Sequence, residues 1–166
     1  MNAPQSAERV LAFDVRSRSF GFARLEGPRQ LFDIGVRSFR KGSNAVQVPP
    51  REKLAALLDE FNPSLIIHND SPSRKSKWKL KICDALLQES QKRHIPVRHI
   101  TRRMVKKAFQ GHSENKHEIA TDLAQRYPAL ESKLAPKRKC WQSEDYRMSI
   151  FDAAALGFAY FDANHQ

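Results

Sequence analysis

Cysteine is scarce: in 166 residues only Cys83 and Cys140 carry thiols, far apart and outside any CxxC or Cys/His ligand spacing. This excludes a thiolate metal site and suits two unpaired thiols in a reducing cytoplasm. Long apolar runs are missing too. Nothing reaches the length that crosses a bilayer, no lipidation signal is present, and the opening MNAPQSAERV lacks the apolar stretch of a signal peptide. The expectation is a cytoplasmic protein without a membrane partner. No internal repeat appears, so a solenoid is excluded. Acid is also in short supply, with 18 Asp+Glu against 29 Lys+Arg, a formal charge of +11 and a pI of about 10.0. Such an excess points to a polyanionic partner, nucleic acid first. The length suits one domain, residues 1–166, with a sizeable core.

Candidate flexible stretches are the first eight residues, KGSNAVQVPP from Lys41 and LAPKRKCWQ from Leu134. The remainder alternates between strand and helix patterns. VLAFDVRSRSFGFARLEG and LFDIGVRSF flank the turn residues Gly27, Pro28 and Arg29, which predicts an antiparallel meander of three strands. In PPREKLAALLDEFNP, Leu54, Leu57, Leu58 and Phe61 recur at helical spacing, and Pro63 stops the helix. A short buried strand, SLIIHND, follows, then a basic loop running into a helix, a fifth strand at PVRHIT, two short helices and a final helix starting near Ser143. The fold class is α/β: a five-stranded mixed sheet, its first three strands antiparallel, flanked by helices.

Four places hold acids in otherwise apolar or tightly packed sequence. Asp14 shares one face of the first strand with Val10 and Ala12, while Leu11, Phe13 and Val15 share the other. Both faces are apolar, so the strand reads as central, and a buried carboxylate needs a hydrogen bond, a partner charge or a metal. Asn69 and Asp70 end the fourth strand, where α/β sheets present ligands. Asp152 lies mid-helix among Ala153, Ala154, Ala155, Gly157 and Ala159, small residues that let the helix approach the sheet. If that helix runs from Ser143, Asp145 and Asp152 lie on one face, with Glu144 turned away. Each acid also has a plainer reading: Asp14 as a turn cap or a partner of Arg16 or Arg18, Asp70 in an Asx turn, Glu144 and Asp145 as helix-capping residues. Taken together, Asp14, Asp70 or Asn69, Asp145 and Asp152 form a cluster that would repel itself without cations. Hard oxygen ligands predict Mg²⁺ or Mn²⁺, two ions serving phosphodiester hydrolysis.

The segment SRKSKWKLK sets Trp78 among Arg74, Lys75, Lys77, Lys79 and Lys81. It reads either as a backbone grip with a ring that stacks on an unpaired base, or as a solvated loop whose Trp anchors the helix.

The first strand and hairpin, VLAFDVRSRSFGFARL, resemble those of RuvC-type Holliday-junction resolvases of the RNase H-like nuclease superfamily. The likeness continues in order and spacing through FNPSLIIHND, VRHITRRMVKKAFQGHSENKHEIA and FDAAALGFAY. It implies an RNase H-like fold and a metal-dependent endonuclease acting on branched DNA such as a four-way junction, usually as a homodimer that cuts two strands symmetrically. A relative that binds branched or single-stranded nucleic acid without cutting is the alternative. By the resemblance Asp14 matches the first-strand catalytic acid, Asp152 the late-helix acid, and Lys106 or Lys107 and Lys116 the basic positions near the scissile phosphate. Two positions depart from the pattern. The fourth-strand glutamate falls on Asn69, with Asp70 following, and the second late-helix acid falls on Ser149, with Asp145 and then Glu144 as substitutes.

Overall fold

A computed structural model of the chain describes residues 7–39, 49–69, 77–111 and 115–164. Strands β1 (Arg9–Val15), β2 (Ser19–Glu26) and β3 (Leu31–Ser38) form the expected antiparallel meander. Gly27, with φ of +76°, supplies the left-handed residue that the β2–β3 turn requires. Strand β4 (Leu65–Asn69) pairs parallel to β1, and β5 (Val97–Ile100) parallel to β4, giving the order β3-β2-β1-β4-β5. The apolar run of β1 is thereby explained, because it lies at the centre of the sheet with both faces covered.

The alternation read in β1 decides which helices meet which residues. Leu11, Phe13 and Val15 join the core beneath α1 (Pro50–Phe61) and α2 (Lys77–Lys92). Buried Glu89 of α2 is bound by Arg51 of α1 and by Arg93, which also reaches Asp59 of α1 at 2.9 Å, so a charge clamp ties the two helices. Val10 and Ala12 face the opposite core, formed with α3 (Arg102–Ala108), α4 (Lys116–Arg126), the short α5 (Pro128–Glu131) and α6 (Met148–Asn164). Asp14 continues that second face, so its carboxylate emerges beneath α6.

Small residues allow α6 to sit close to the sheet. Gly21 of β2 stands opposite Asp14 in the ladder, and a Cβ there would lie 2.2 Å from the backbone oxygen of Ser149. The obstacle is backbone, which cannot rotate away. Gly21→Ala is therefore expected to cost about 1–3 kcal/mol or more, seen as a lower urea midpoint at unchanged slope. An unchanged midpoint would mean that α6 does not approach this closely.

One boundary differs from expectation. Helix α6 begins at Met148, not near Ser143, because Asp145 rather than Ser143 takes the capping position: its carboxylate accepts the backbone N–H of Arg147 at 2.9 Å and its carbonyl the N–H of Met148 at 3.0 Å. Glu144 and Asp145 thus lie on the approach to the helix, and the shared helical face of Asp145 and Asp152 does not form.

Candidate functional site

Asp14, 6% exposed, sits at the C-terminal end of β1 and accepts hydrogen bonds on both oxygens. Its Oδ1 takes the amide N–H of Asn69 at 2.9 Å, and its Oδ2 takes Arg16 Nε at 2.7 Å and Ser149 Oγ at 3.1 Å. Three segments far apart in sequence therefore converge on one carboxylate. The Asn69 carboxamide is used at both ends, since its oxygen accepts the N–H of Val15 at 3.1 Å. It extends the β1–β4 ladder by one side-chain rung, a task that needs a donor and an acceptor on the same group. Asn69, on which the resemblance placed the fourth-strand acid, is thus the β4 residue that faces Asp14; an ionised carboxylate there would have no proton to offer.

Arg16 is the hub of the site. While its Nε holds Asp14, its Nη2 donates to Asp152 Oδ2 at 2.7 Å and lies 3.5 Å from Glu144 Oε1. Lys116, first residue of α4, closes the network from the other side, with Nζ 3.1 Å from Glu144 and 3.2 Å from Asp152. Burial opposes the charge on Arg16 and on Lys116, yet the surrounding carboxylates more than offset it and hold both above their ordinary ranges. Burial also opposes ionisation of Glu144, but the Lys116 hydrogen bond and the Arg16 charge win and hold it low. Asp152 goes the other way: burial and the nearby charge of Asp14 raise it against the pull of Lys116 and Arg16.

The remaining expected residues are placed as follows. Asp145 turns from the cluster into a two-pronged pair with Arg147, at 2.9 and 2.7 Å, which pulls its carboxyl down to about 2. Its expected position facing Asp152 is thus corrected: Glu144 reaches the cluster instead. Asp70, Arg74 and Lys75 lie outside the described residues. Lys77 and Lys81 are exposed on α2, but Lys79 is buried, which corrects its expected place on a DNA-facing strip. Trp78 packs partly buried against the α1–α2 core with Lys81 Nζ 5.1 Å from its ring centre, so it serves as the helix anchor. Arg102, Arg103, Lys106 and Lys107 are all exposed on α3.

A divalent ion does not fit this arrangement as it stands. The guanidinium of Arg16 fills the space between Asp14 and Asp152, and every carboxylate of the centre carries a fixed donor. Among the described residues, no group of three or more His, Cys, Asp or Glu side chains is placed to hold a metal ion. The link from Arg16 to Asp152 escaped sequence reasoning, although a base two positions after a strand acid was a local signal that the two share a side.

No protein-family model matches the chain, and no curated protein is similar to it in sequence. Solved structures are similar in fold. RuvC of Thermus thermophilus in complex with a Holliday junction substrate superposes with a TM-score of 0.67 at 17% identity, over 95% of this chain and 96% of that one. The fowlpox virus resolvase, also with Holliday junction DNA, gives 0.59 at 12% identity, over 93% and 99%. The yeast mitochondrial Holliday junction resolvase Ydc2 gives 0.56 at 12% identity, over 95% and 82%. The fold is that of the RuvC-type, RNase H-like resolvases. Among the described residues no helix is long and apolar enough to cross a membrane.

Proposed function

We propose that this chain binds branched DNA on a resolvase fold whose acid centre is neutralised from within, so that binding needs no metal ion. The observation that carries this reading is the Arg16 bridge, 2.7 Å to Asp14 and 2.7 Å to Asp152. Bare carboxylates would repel a phosphate backbone, whereas Arg16 and Lys116 offset two of the three negative charges of Asp14, Glu144 and Asp152 within a chain whose net charge is +11. The resolvase structures solved with Holliday junctions support a four-way junction as the ligand. A homodimer matching the two-fold symmetry of such a junction is the assembly this reading carries, and light scattering with and without DNA measures it.

Affinity for a labelled four-way junction should fall with salt at a log–log slope of about −0.9 per phosphate neutralised. For a footprint of six phosphates that is a loss of roughly 10³-fold between 50 and 200 mM. Affinity that stays flat over that range removes nucleic acid as the partner. Asp152→Asn, which takes one negative charge from the centre while sparing the basic surface, is expected to leave junction affinity unchanged or raise it several-fold. A loss of affinity at intact circular dichroism would contradict the orientation proposed.

The second reading is a metal-dependent, structure-selective endonuclease that hydrolyses phosphodiester bonds in branched DNA, with Asp14 and Asp152 as its catalytic acids and Mg²⁺ or Mn²⁺ as cofactor. It is favoured by the three carboxylates that surround the Arg16 guanidinium, Asp14 from β1, Glu144 from the approach to α6 and Asp152 from α6 itself. Cutting on this reading requires Arg16 to vacate that space. Metal-dependent product from the wild-type chain that vanishes with Asp14→Asn would establish it in place of the first.

A further inference from the structure

Between α5 and α6 the chain carries Lys137, Arg138 and Lys139, then Trp141, 75% exposed, and Tyr146, 70% exposed. A single exposed ring is ordinary on a monomer surface, so what marks Trp141 is the structure around it. The tip that bears Trp141 is built, not slack. Gln142 closes a turn by donating its N–H to the Lys139 carbonyl at 3.0 Å; its side-chain oxygen accepts the Lys139 N–H at 3.0 Å, and its carbonyl accepts from the Arg138 guanidinium at 3.2 Å. Three bonds to one residue hold the turn, and the ring stands at its third position. Lys139 Nζ lies 5.3 Å from the ring centre, so positive charge accompanies the aromatic surface.

The same segment runs straight into the acid centre: three residues after Trp141, Glu144 is bound by Lys116 and lies near Arg16. A held aromatic ring with Lys139 beside it and two more cations just before it in sequence, a few residues from the proposed DNA site, has the chemistry of a base-stacking platform. We propose that Trp141 stacks on an unpaired base where branched DNA opens, with Lys137, Arg138 and Lys139 on the adjoining phosphates. This rests on the branched-DNA reading above and assigns it the element that tells opened strands from paired duplex. Duplex offers no free base face, so selectivity for branch points follows from Trp141, whereas overall affinity follows from the basic surface.

The test compares wild type with Trp141→Ala on three labelled probes: a four-way junction, a fork with unpaired arms and a fully paired duplex of equal length. Because Trp141 packs against no core, the variant should keep the wild-type circular dichroism. Expected is a loss of about 5- to 150-fold on the fork, the worth of one base stacked on an aromatic, a loss in the same direction on the junction, and duplex affinity within two-fold of wild type, roughly the scatter of an uncoupled site. Trp141→Phe should restore most of the loss. The emission lost on adding the fork, taken as wild type minus Trp141→Ala, should show quenching that duplex does not cause. Equal affinities of both chains for all three probes would overturn the stacking role while leaving the branched-DNA reading intact. Absence of binding to any probe would instead remove that reading itself. A change only in self-association would assign the ring to a protein contact and overturn the proposal.

Discussion

Arg16→Ala should lose about 3–5 kcal/mol of stability, because it leaves the nearly buried charge of Asp14 to the neutral donors Asn69 and Ser149, and leaves Asp152 and Glu144 with Lys116 alone. For a chain of this size that is a fall of roughly 6–20 °C in melting temperature. Millimolar Mn²⁺ should then recover part of the loss in the variant, since a cation that binds only the folded state stabilises it, but leave the wild type unmoved. Differential scanning calorimetry in EDTA and in Mn²⁺ measures both effects. Arg16→Lys separates charge from geometry: one ammonium cannot hold Asp14 and Asp152 as the two-pronged guanidinium does, so an intermediate loss is expected. A wild-type melting temperature in Arg16→Ala would mean that the bridge contributes nothing to the fold.

Asn69→Asp carries the second large effect. The carboxamide now donates to Asp14 at 2.9 Å and accepts from Val15 at 3.1 Å. Aspartate can keep the second bond, but it replaces the first by carboxylate against carboxylate, a penalty of roughly 2–5 kcal/mol at neutral pH. Two like charges this close raise the affinity of the pair for a proton in the folded state. The folded variant then binds more protons than the unfolded one above the ordinary carboxylate range. Its penalty is present at neutral pH and shrinks as pH falls toward that range. Urea unfolding of both chains at neutral and mildly acidic pH checks the sign. A penalty that grows on acidification would contradict the contact.

The same two residues show what local sequence can and cannot reveal. Alternation in β1 put Asp14 on the Val10–Ala12 face and called for a partner, and the structure supplies three, Arg16, Asn69 and Ser149. Arg16 as a partner of Asp14 was readable, because two positions on a strand bring side chains to one side. Its second prong on Asp152, 136 residues away, was not, since no pattern states where α6 crosses the sheet. The helix start shows a different limit. Ser143, Glu144 and Asp145 are all plausible capping residues, and only the bonds from Arg147 and Met148 show that Asp145 wins. Once the start moves by a turn, the face expected to join Asp145 to Asp152 disappears. Trp78 and Trp141 have similarly basic neighbours in sequence. Packing against the α1–α2 core half-buries the first and leaves the second in water, a tertiary difference that composition does not encode.

The self-neutralised centre is tested most directly by one gel experiment on the wild-type chain with a labelled four-way junction, run in EDTA, Mg²⁺ and Mn²⁺. Native lanes read binding and denaturing lanes read cutting. The predicted result is a shifted complex at least as tight in EDTA as in Mg²⁺ or Mn²⁺ and intact strands throughout, because Arg16 already occupies the space between Asp14 and Asp152. Strand products that appear only with Mg²⁺ or Mn²⁺ and disappear with Asp14→Asn would contradict it.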